Sequence, residues 1–194
     1  MISRIVGVLI LVFLLAHSSQ AAMAGQAEDA LKTSVNEVLD ILKSDNPGAP
    51  GRTEKLYTSV RKVFDPEELA RRTLAAHWNS FSPEERTRFT EAFVSLLERT
   101  YLRRIESYTN AQVVFLNESA LGEGHSEVST KIVTSAGEVP IVYRLIRKND
   151  WKVYDVSIEG VSLVQNYRNQ FNEILAKESP AQLIGRVESM GSAS

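Results

Sequence analysis

The sequence contains no cysteine and only three histidines. The absence of cysteine excludes disulfide bonds, thiol catalysis, thiolate metal ligands and a lipid-modified cysteine near the N-terminus. His17, His77 and His125 are scattered along the chain, and no group of potential ligands has the spacing of a zinc site. Glycine-rich phosphate loops and the G-x-S-x-G nucleophile motif are also missing. We therefore expect no cofactor, no metal and no enzymatic activity.

The chain also lacks an excess of positive charge. Its 22 Lys and Arg residues are balanced by 24 Asp and Glu residues, which gives a net charge of −2. Nucleic acid is therefore not expected as a partner. Hydrophobic residues make up 43% and charged residues 24%, which is typical of a soluble folded domain rather than a disordered chain. We expect a monomer.

The first residues have the pattern of a secretory signal peptide. Arg4 precedes the apolar run Ile5–Leu15, and small residues up to Ala24 offer a cleavage site before Gly25. The run is shorter than the about 20 residues that span a bilayer, although an uncleaved anchor remains the alternative. We predict a signal peptide over residues 1–24, one domain over residues 25–190 and a frayed tail over residues 191–194. Export without cysteine favours the bacterial periplasm.

Helical periodicity covers the first half of the remaining chain. Two helix starts have an N-cap residue, a proline and acidic residues in order, at Asp65-Pro66-Glu67-Glu68 and Ser82-Pro83-Glu84-Glu85. The predicted helices are Gln26–Ser44, Arg52–Val63, Pro66 to about Trp78, and Pro83 to about Ser107.

Period-two alternation then replaces the helical pattern. It predicts four strands, Ala111–Asn117, Ser126–Ser135, Glu138–Arg147 and Asp150–Glu159, joined by turns short enough for antiparallel hairpins. Helical periodicity returns at Val161–Lys177 and again after Ser179. The sequence therefore predicts an α+β fold, with N-terminal helices, a four-stranded antiparallel curved sheet and C-terminal helices.

The stretch Trp151–Phe171 joins the last strand to a helix. Alternation up to Ile158 ends at Gly160, after which apolar residues recur at helical spacing. A strand therefore turns directly into an amphipathic helix, and an apolar space can open between the sheet and the helices. From residues alone, this space is either a cavity or a closed core.

Asp155 is the polar residue in this stretch that invites a catalytic interpretation. It lies inside a predicted strand, and with Tyr143 it would form an acid–tyrosine pair like those of isomerases built on cone-shaped α+β folds. The alternative is structural, in which Asp155 accepts hydrogen bonds from Arg168, Tyr167 or the backbone near the corner.

Two sequence blocks resemble the MlaC family, also called toluene-tolerance proteins. The first consists of WKVYDV (Trp151–Val156), IEGVSLV (Ile158–Val164) and NYRNQF (Asn166–Phe171), and the second is Phe64–Phe93. The resemblance extends over roughly residues 26–187. It implies a periplasmic carrier whose cavity holds the acyl chains of glycerophospholipids. The implied partners are an inner-membrane ABC transporter complex with an MCE subunit and an outer-membrane lipoprotein–porin complex, and the implied role is to maintain outer-membrane lipid asymmetry.

The resemblance also favours a lipid cavity over a closed core. Arg168 is the candidate contact to the lipid phosphate. The residues expected to line the cavity are Phe89, Phe93, Leu97, Tyr101, Tyr143, Leu145, Val156, Ile158, Val164 and Phe171. The alternatives are a carrier of hopanoid or another apolar lipid, an enzyme that uses Asp155, and a binding or scaffold module with a closed core.

Overall fold

The structure, a computed structural model, describes residues 25–44, 49–108 and 110–192. Within these ranges the α-helices are α1 Gln26–Ser44, α2 Arg52–Val63, α3 Pro66–Leu74, α4 Pro83–Glu106, α5 Leu163–Leu175 and α6 Pro180–Ser192. The strands are β1 Gln112–Gly122, β2 His125–Thr134, β3 Gly137–Arg147, β4 Trp151–Ile158 and β5 Val161–Ser162. The fold is α+β, as predicted. The predicted signal peptide lies outside the described residues, and α6 extends two residues into the stretch that we expected to fray.

The two predicted helix starts have the expected caps. The Asp65 side chain accepts a hydrogen bond from the backbone N–H of Glu68 at 2.9 Å. Ser82 and Glu85 form a reciprocal capping box at the start of α4. These bonds satisfy backbone donors that a helix N-terminus otherwise leaves unpaired.

The third helix ends earlier than predicted. α3 stops at Leu74, and Ala75–Ser80 forms a 3₁₀-helix instead of a further α-helical turn. Ala75 has a φ of 49°, which an α-helix cannot accommodate. The break redirects the chain toward the cap of α4.

The sheet has five antiparallel strands in the order β1-β2-β3-β4-β5, one more than predicted. The added strand β5 is only two residues long and includes Val161, which we expected to begin the following helix. Helix α5 begins at Leu163 because Ser162 is its N-cap and accepts a hydrogen bond from the backbone N–H of Gln165.

Bulges account for the other differences in the strands. β1 continues to Gly122, five residues beyond the predicted end. Register shifts after Phe115 and after Ala120 interrupt the alternation of side chains in this strand, so the sequence pattern does not show its full length. In β4 the partners of Arg144 and Leu145 are Asp155 and Val153, so Tyr154 is an extra residue. The bulge brings Val153 and Val156 into the same apolar cluster, although strict alternation assigns them to opposite faces.

Within the described residues, buried apolar side chains form three clusters. The largest lies between α3, α4, α5 and α6 and contains a group of aromatic rings. The second lies between the sheet and the N-terminal half of α1, where Ala27 and Leu31 contact Val128 and Leu145. The third joins the C-terminal half of α1 to α2 and α4. The space between the second and third clusters is where the candidate site lies.

Candidate functional site

The candidate site is a cavity of about 510 Å³ between one face of the sheet and helices α1, α2 and α4. Its walls are mainly aliphatic and aromatic. The apolar lining from the helices includes Leu31, Val35, Val38, Leu39, Leu42, Val60, Val63, Val94, Leu97, Leu102 and Ile105, and the lining from the sheet includes Val113, Ile132, Val139, Ile141, Val156 and Ile158. Such a volume and composition are typical of a site for an apolar small molecule.

The path of α1 holds the cavity open. At its N-terminal end α1 lies on the sheet, where Leu31 is only 1% exposed. Its C-terminal end instead packs through Leu42 against Leu56 of α2 and Leu102 of α4. The helix therefore diverges from the sheet, and the two layers enclose a wedge. Because Ala27 and Leu31 pack with Val128 and Leu145, the wide end of the wedge lies toward the opposite end of the sheet, beside Val139 and Ile158.

The start of α1 is fixed to the sheet by a carboxylate. Glu118 of β1 accepts a hydrogen bond from the backbone N–H of Glu28 at 2.8 Å and another from the Ser126 hydroxyl at 2.9 Å. A carboxylate at a helix N-terminus is favoured by the helix dipole. This contact holds the narrow end of the wedge closed.

Tyr143 lies in the sheet wall of the cavity. Burial raises the pKa of its phenol to about 12, and a hydrogen bond with Thr130 acts in the opposite direction. The hydroxyl is thus hydrogen-bonded within the sheet, and the aromatic ring presents an apolar surface to the cavity. A neutral tyrosine under these conditions fits a dry cavity.

Five of the residues that we expected to line the cavity do so. They are Leu97 and Tyr101 of α4, Tyr143 of β3, and Val156 and Ile158 of β4. Tyr143 and Val156 are paired across the β3–β4 ladder, as are Ile141 and Ile158, which explains why these side chains share one face.

The other five residues lie away from the lining. Phe89, Phe93 and Phe171 pack ring against ring with centroids 5.5–5.6 Å apart, and Val164 joins the same closed cluster. Leu145 is 2% exposed and packs in the α1–sheet contact. The three phenylalanines and Val164 form core because α5 packs directly against α3 and α4, whereas Leu145 is core because α1 lies on the sheet there.

Helix α1 contributes residues that we did not assign to the site. Val35, Val38 and Leu39 line the cavity. Their spacing of three and four residues shows an apolar helix face, but the sequence cannot indicate which surface that face covers.

Arg168 also lies away from the cavity lining. Its guanidinium donates hydrogen bonds from Nε and Nη2 to the backbone oxygen of Arg72, at 3.0 and 2.6 Å, and from Nη1 to Gln165. Arg72 in turn contacts the ring of Tyr154, with its guanidinium carbon 3.8 Å from the ring centroid. Arg168 therefore ties α5 to α3.

Asp155 has structural partners and does not line the cavity. One carboxylate oxygen accepts from the Ser162 hydroxyl at 2.7 Å, and the other accepts from the backbone N–H of Val164 at 3.1 Å. Arg144 lies 3.6 Å from the same carboxylate. The pair with Tyr143 is not formed. Asp155 instead fastens the start of α5 to β4.

Charged side chains in the lining are few. Arg61 of α2 and Glu98 of α4 form a two-pronged ion pair, with Nε–Oε1 and Nη2–Oε2 distances of 2.5 and 2.8 Å. Arg104 of α4 and Glu159, which follows β4, are both exposed. Within the described residues neither of these two has an ion-pair or side-chain hydrogen-bond partner.

The described residues contain neither a membrane-spanning helix nor a metal-binding group. No helix over residues 25–44, 49–108 or 110–192 is long and apolar enough to cross a membrane. In the same ranges no group of His, Asp and Glu side chains is arranged to hold a metal ion.

Comparison with known proteins identifies relatives over most of the chain. The family model described as MlaC protein matches residues 32–189. The intermembrane phospholipid transport system binding protein MlaC of Haemophilus influenzae is 27% identical over 188 residues, which cover 92% of this chain and 85% of the relative. The toluene tolerance protein ttg2D of Pseudomonas putida is 22% identical over 175 residues, covering 87% of this chain and 81% of the relative.

A solved structure has the same fold. The phospholipid-binding protein of Ralstonia solanacearum, determined in complex with a phospholipid, superimposes with a TM-score of 0.79 at 25% identity. The match covers 86% of this chain and 97% of that protein. Because the family model spans most of the sequence and the fold agrees, the chain belongs to the MlaC family.

Proposed function

We propose that the chain is a periplasmic carrier that binds a glycerophospholipid with its acyl chains in the wedge between sheet and helices. The observation that carries this proposal is the apolar cavity, whose lining residues come from α1, α2, α4 and the sheet. Each buried CH₂ contributes about 0.8 kcal/mol, so one long acyl chain is held out of water by on the order of ten kcal/mol. A dry cavity lets such a chain cross an aqueous gap.

The relatives support phospholipid as the ligand class. One is named as a binding protein of intermembrane phospholipid transport, and another was solved with a phospholipid bound. A hopanoid or another apolar lipid remains the alternative cargo, since aliphatic walls do not distinguish one hydrocarbon from another.

We further propose that the chain carries lipid between the two membranes. Residues 1–24 direct export to the periplasm, and the mature chain acts as a monomer without cofactor or covalent chemistry. It exchanges lipid with an inner-membrane ABC transporter complex that has an MCE subunit and with an outer-membrane lipoprotein–porin complex. This exchange maintains the lipid asymmetry of the outer membrane.

Extraction of the purified protein with organic solvent, followed by mass spectrometry, tests the ligand. We expect glycerophospholipid in a near-stoichiometric amount. The same protein refolded from denaturant without lipid serves as the blank. Recovery of a polycyclic lipid in place of phospholipid would identify that lipid as the cargo. A protein that neither retains lipid nor takes it up from vesicles would refute the proposed carrier function.

A further inference from the structure

Two charged residues of the lining, Arg104 and Glu159, have no ion-pair partner among the residues that the structure describes. Arg104 is in the last turn of α4, four residues before Tyr108, which also lines the cavity just before β1 begins. Glu159 directly follows Ile158, whose partner Ile141 lies near the start of β3, and the backbone N–H of Glu159 donates to the oxygen of Pro140 at 3.0 Å. The beginnings of β1 and β3 and the end of β4 lie at one end of an antiparallel sheet. Both charges therefore line the cavity toward the same end of the sheet.

Arg104 and Glu159 differ in their pairing from the other charged residues of the lining. Arg61 and Glu98 neutralise each other through a two-pronged pair. No carboxylate in the described ranges lies within ion-pair distance of Arg104, and no cation there lies within that distance of Glu159. Each has hydrogen-bonding capacity for a group that arrives from outside.

The backbone at Glu159 has a conformation that glutamate rarely adopts. Glu159 and Gly160 have φ values of 50° and 82°, so both central residues of the β4–β5 hairpin are left-handed, the pattern of a type I′ turn. Asparagine or glycine is favoured at the first of these positions, and glutamate is strained there. Strained residues cluster at functional sites, and this one lines the cavity.

We infer that Arg104 and Glu159 select phospholipids whose headgroup carries both a phosphate and an ammonium group. This inference rests on the proposed lipid carrier, because the apolar cavity leaves a charged headgroup at its opening. A guanidinium matches a phosphate through paired N–H donors, and a carboxylate pairs with an ammonium. A headgroup with phosphate and uncharged glycerol satisfies Arg104 but leaves Glu159 without a partner, and its net negative charge is repelled.

A competition between two lipids tests this selection. The protein is incubated with vesicles of equal phosphatidylethanolamine and phosphatidylglycerol with identical acyl chains, then re-isolated, and its lipids are quantified by mass spectrometry. Exposed ion pairs are worth little, so we expect a preference for phosphatidylethanolamine of about two- to five-fold. Glu159→Gln should bring the ratio close to one, and Arg104→Gln should lower the uptake of both lipids.

Neighbouring residues provide matched controls. Arg103→Gln and Glu123→Gln remove exposed charges that do not line the cavity and should leave uptake and ratio unchanged. Glu159→Asn suits the left-handed turn, so it should raise the unfolding temperature while abolishing the preference. If Glu159 had only a structural role, its substitution would leave the ratio of the two bound lipids unchanged.

The headgroup selection and the lipid-carrier function can be refuted separately. Wild-type protein that takes up both lipids equally, or a preference that survives in Glu159→Gln, overturns the selection and leaves the carrier intact. Loss of uptake in Arg103→Gln equal to that in Arg104→Gln also overturns it. Protein that takes up no phospholipid overturns the carrier itself.

Discussion

A carboxylate introduced at Leu97 should empty the cavity without unfolding the protein, whereas the same change at Leu145 should unfold it. Both residues were expected to face the lipid. Leu97 lines the cavity and is half-buried, while Leu145 is 2% exposed and lies in the α1–sheet contact. The pair therefore compares a cavity wall with true core by the same chemical change.

The burial of the two residues sets the magnitudes. Loss of a fully buried leucine side chain costs about 2–5 kcal/mol, and an unpaired buried carboxylate adds several more. Together these approach the whole stability of a domain, about 5–15 kcal/mol, so Leu145→Glu should not fold. At Leu97 water in the empty cavity can solvate the carboxylate, and the cost to folding should be about 1–2 kcal/mol. Lipid binding must then dehydrate that charge, and a cost of about 3–4 kcal/mol weakens affinity about 10²- to 10³-fold.

The assay combines thermal unfolding with the amount of phospholipid per folded protein. Leu97→Met, which nearly conserves volume, is the control and should retain both stability and lipid. A folded Leu97→Glu variant with full lipid content would refute the assignment of the wall, and a well-folded Leu145→Glu variant would refute the assignment of the core.

Three further predictions concern other parts of the chain. Asp155→Asn should lower the free energy of unfolding by about 1–3 kcal/mol, because its hydrogen bonds fasten α5 to β4; lipid per folded protein should not change, and its loss in folded protein would argue for a direct role. Between pH 10 and about 12 only the unfolded chain ionises Tyr143, so stability should fall as pH rises, by up to about 3 kcal/mol. Tyr143→Phe should flatten this decline in chemical denaturation, and an unchanged slope would contradict it. N-terminal sequencing of exported protein should begin near Gly25, and an intact Met1 in the membrane fraction would show an uncleaved anchor.

Local chemistry explains why much of the fold could be predicted. Helix starts such as Asp65-Pro66 and Ser82-Pro83 satisfy backbone donors within a few residues of the chain, so their position is visible in the sequence. The order of helices, strands and helices follows from changes in hydrophobic period. The features that were missed depend on single residues that interrupt a regular pattern, such as Ala75 at the end of α3 and the bulged Tyr154 within β4.

The candidate site was only partly predictable, because it depends on which apolar faces meet. Phe93 and Leu97 lie one turn apart on α4, and the sequence gives no reason to separate them. In the folded chain Phe93 packs against Phe171, with ring centroids 5.5 Å apart, while Leu97 lines the wedge beneath α1. The difference arises from the contacts of α5 and α1, which are distant in sequence.

The sequence by itself determined that this chain forms a helix–sheet–helix fold without cysteine chemistry, because composition, caps and periodicity act locally. It also identified the family, through residues 64–93 and 151–171. Only the tertiary structure decided where the layers close and where they stay apart. That decision depends on the divergence of α1 from the sheet, since its two ends pack against different partners at Val128 and at Leu56. The same packing places Arg104 and Glu159 in the lining of one cavity, although they are more than fifty residues apart in the chain.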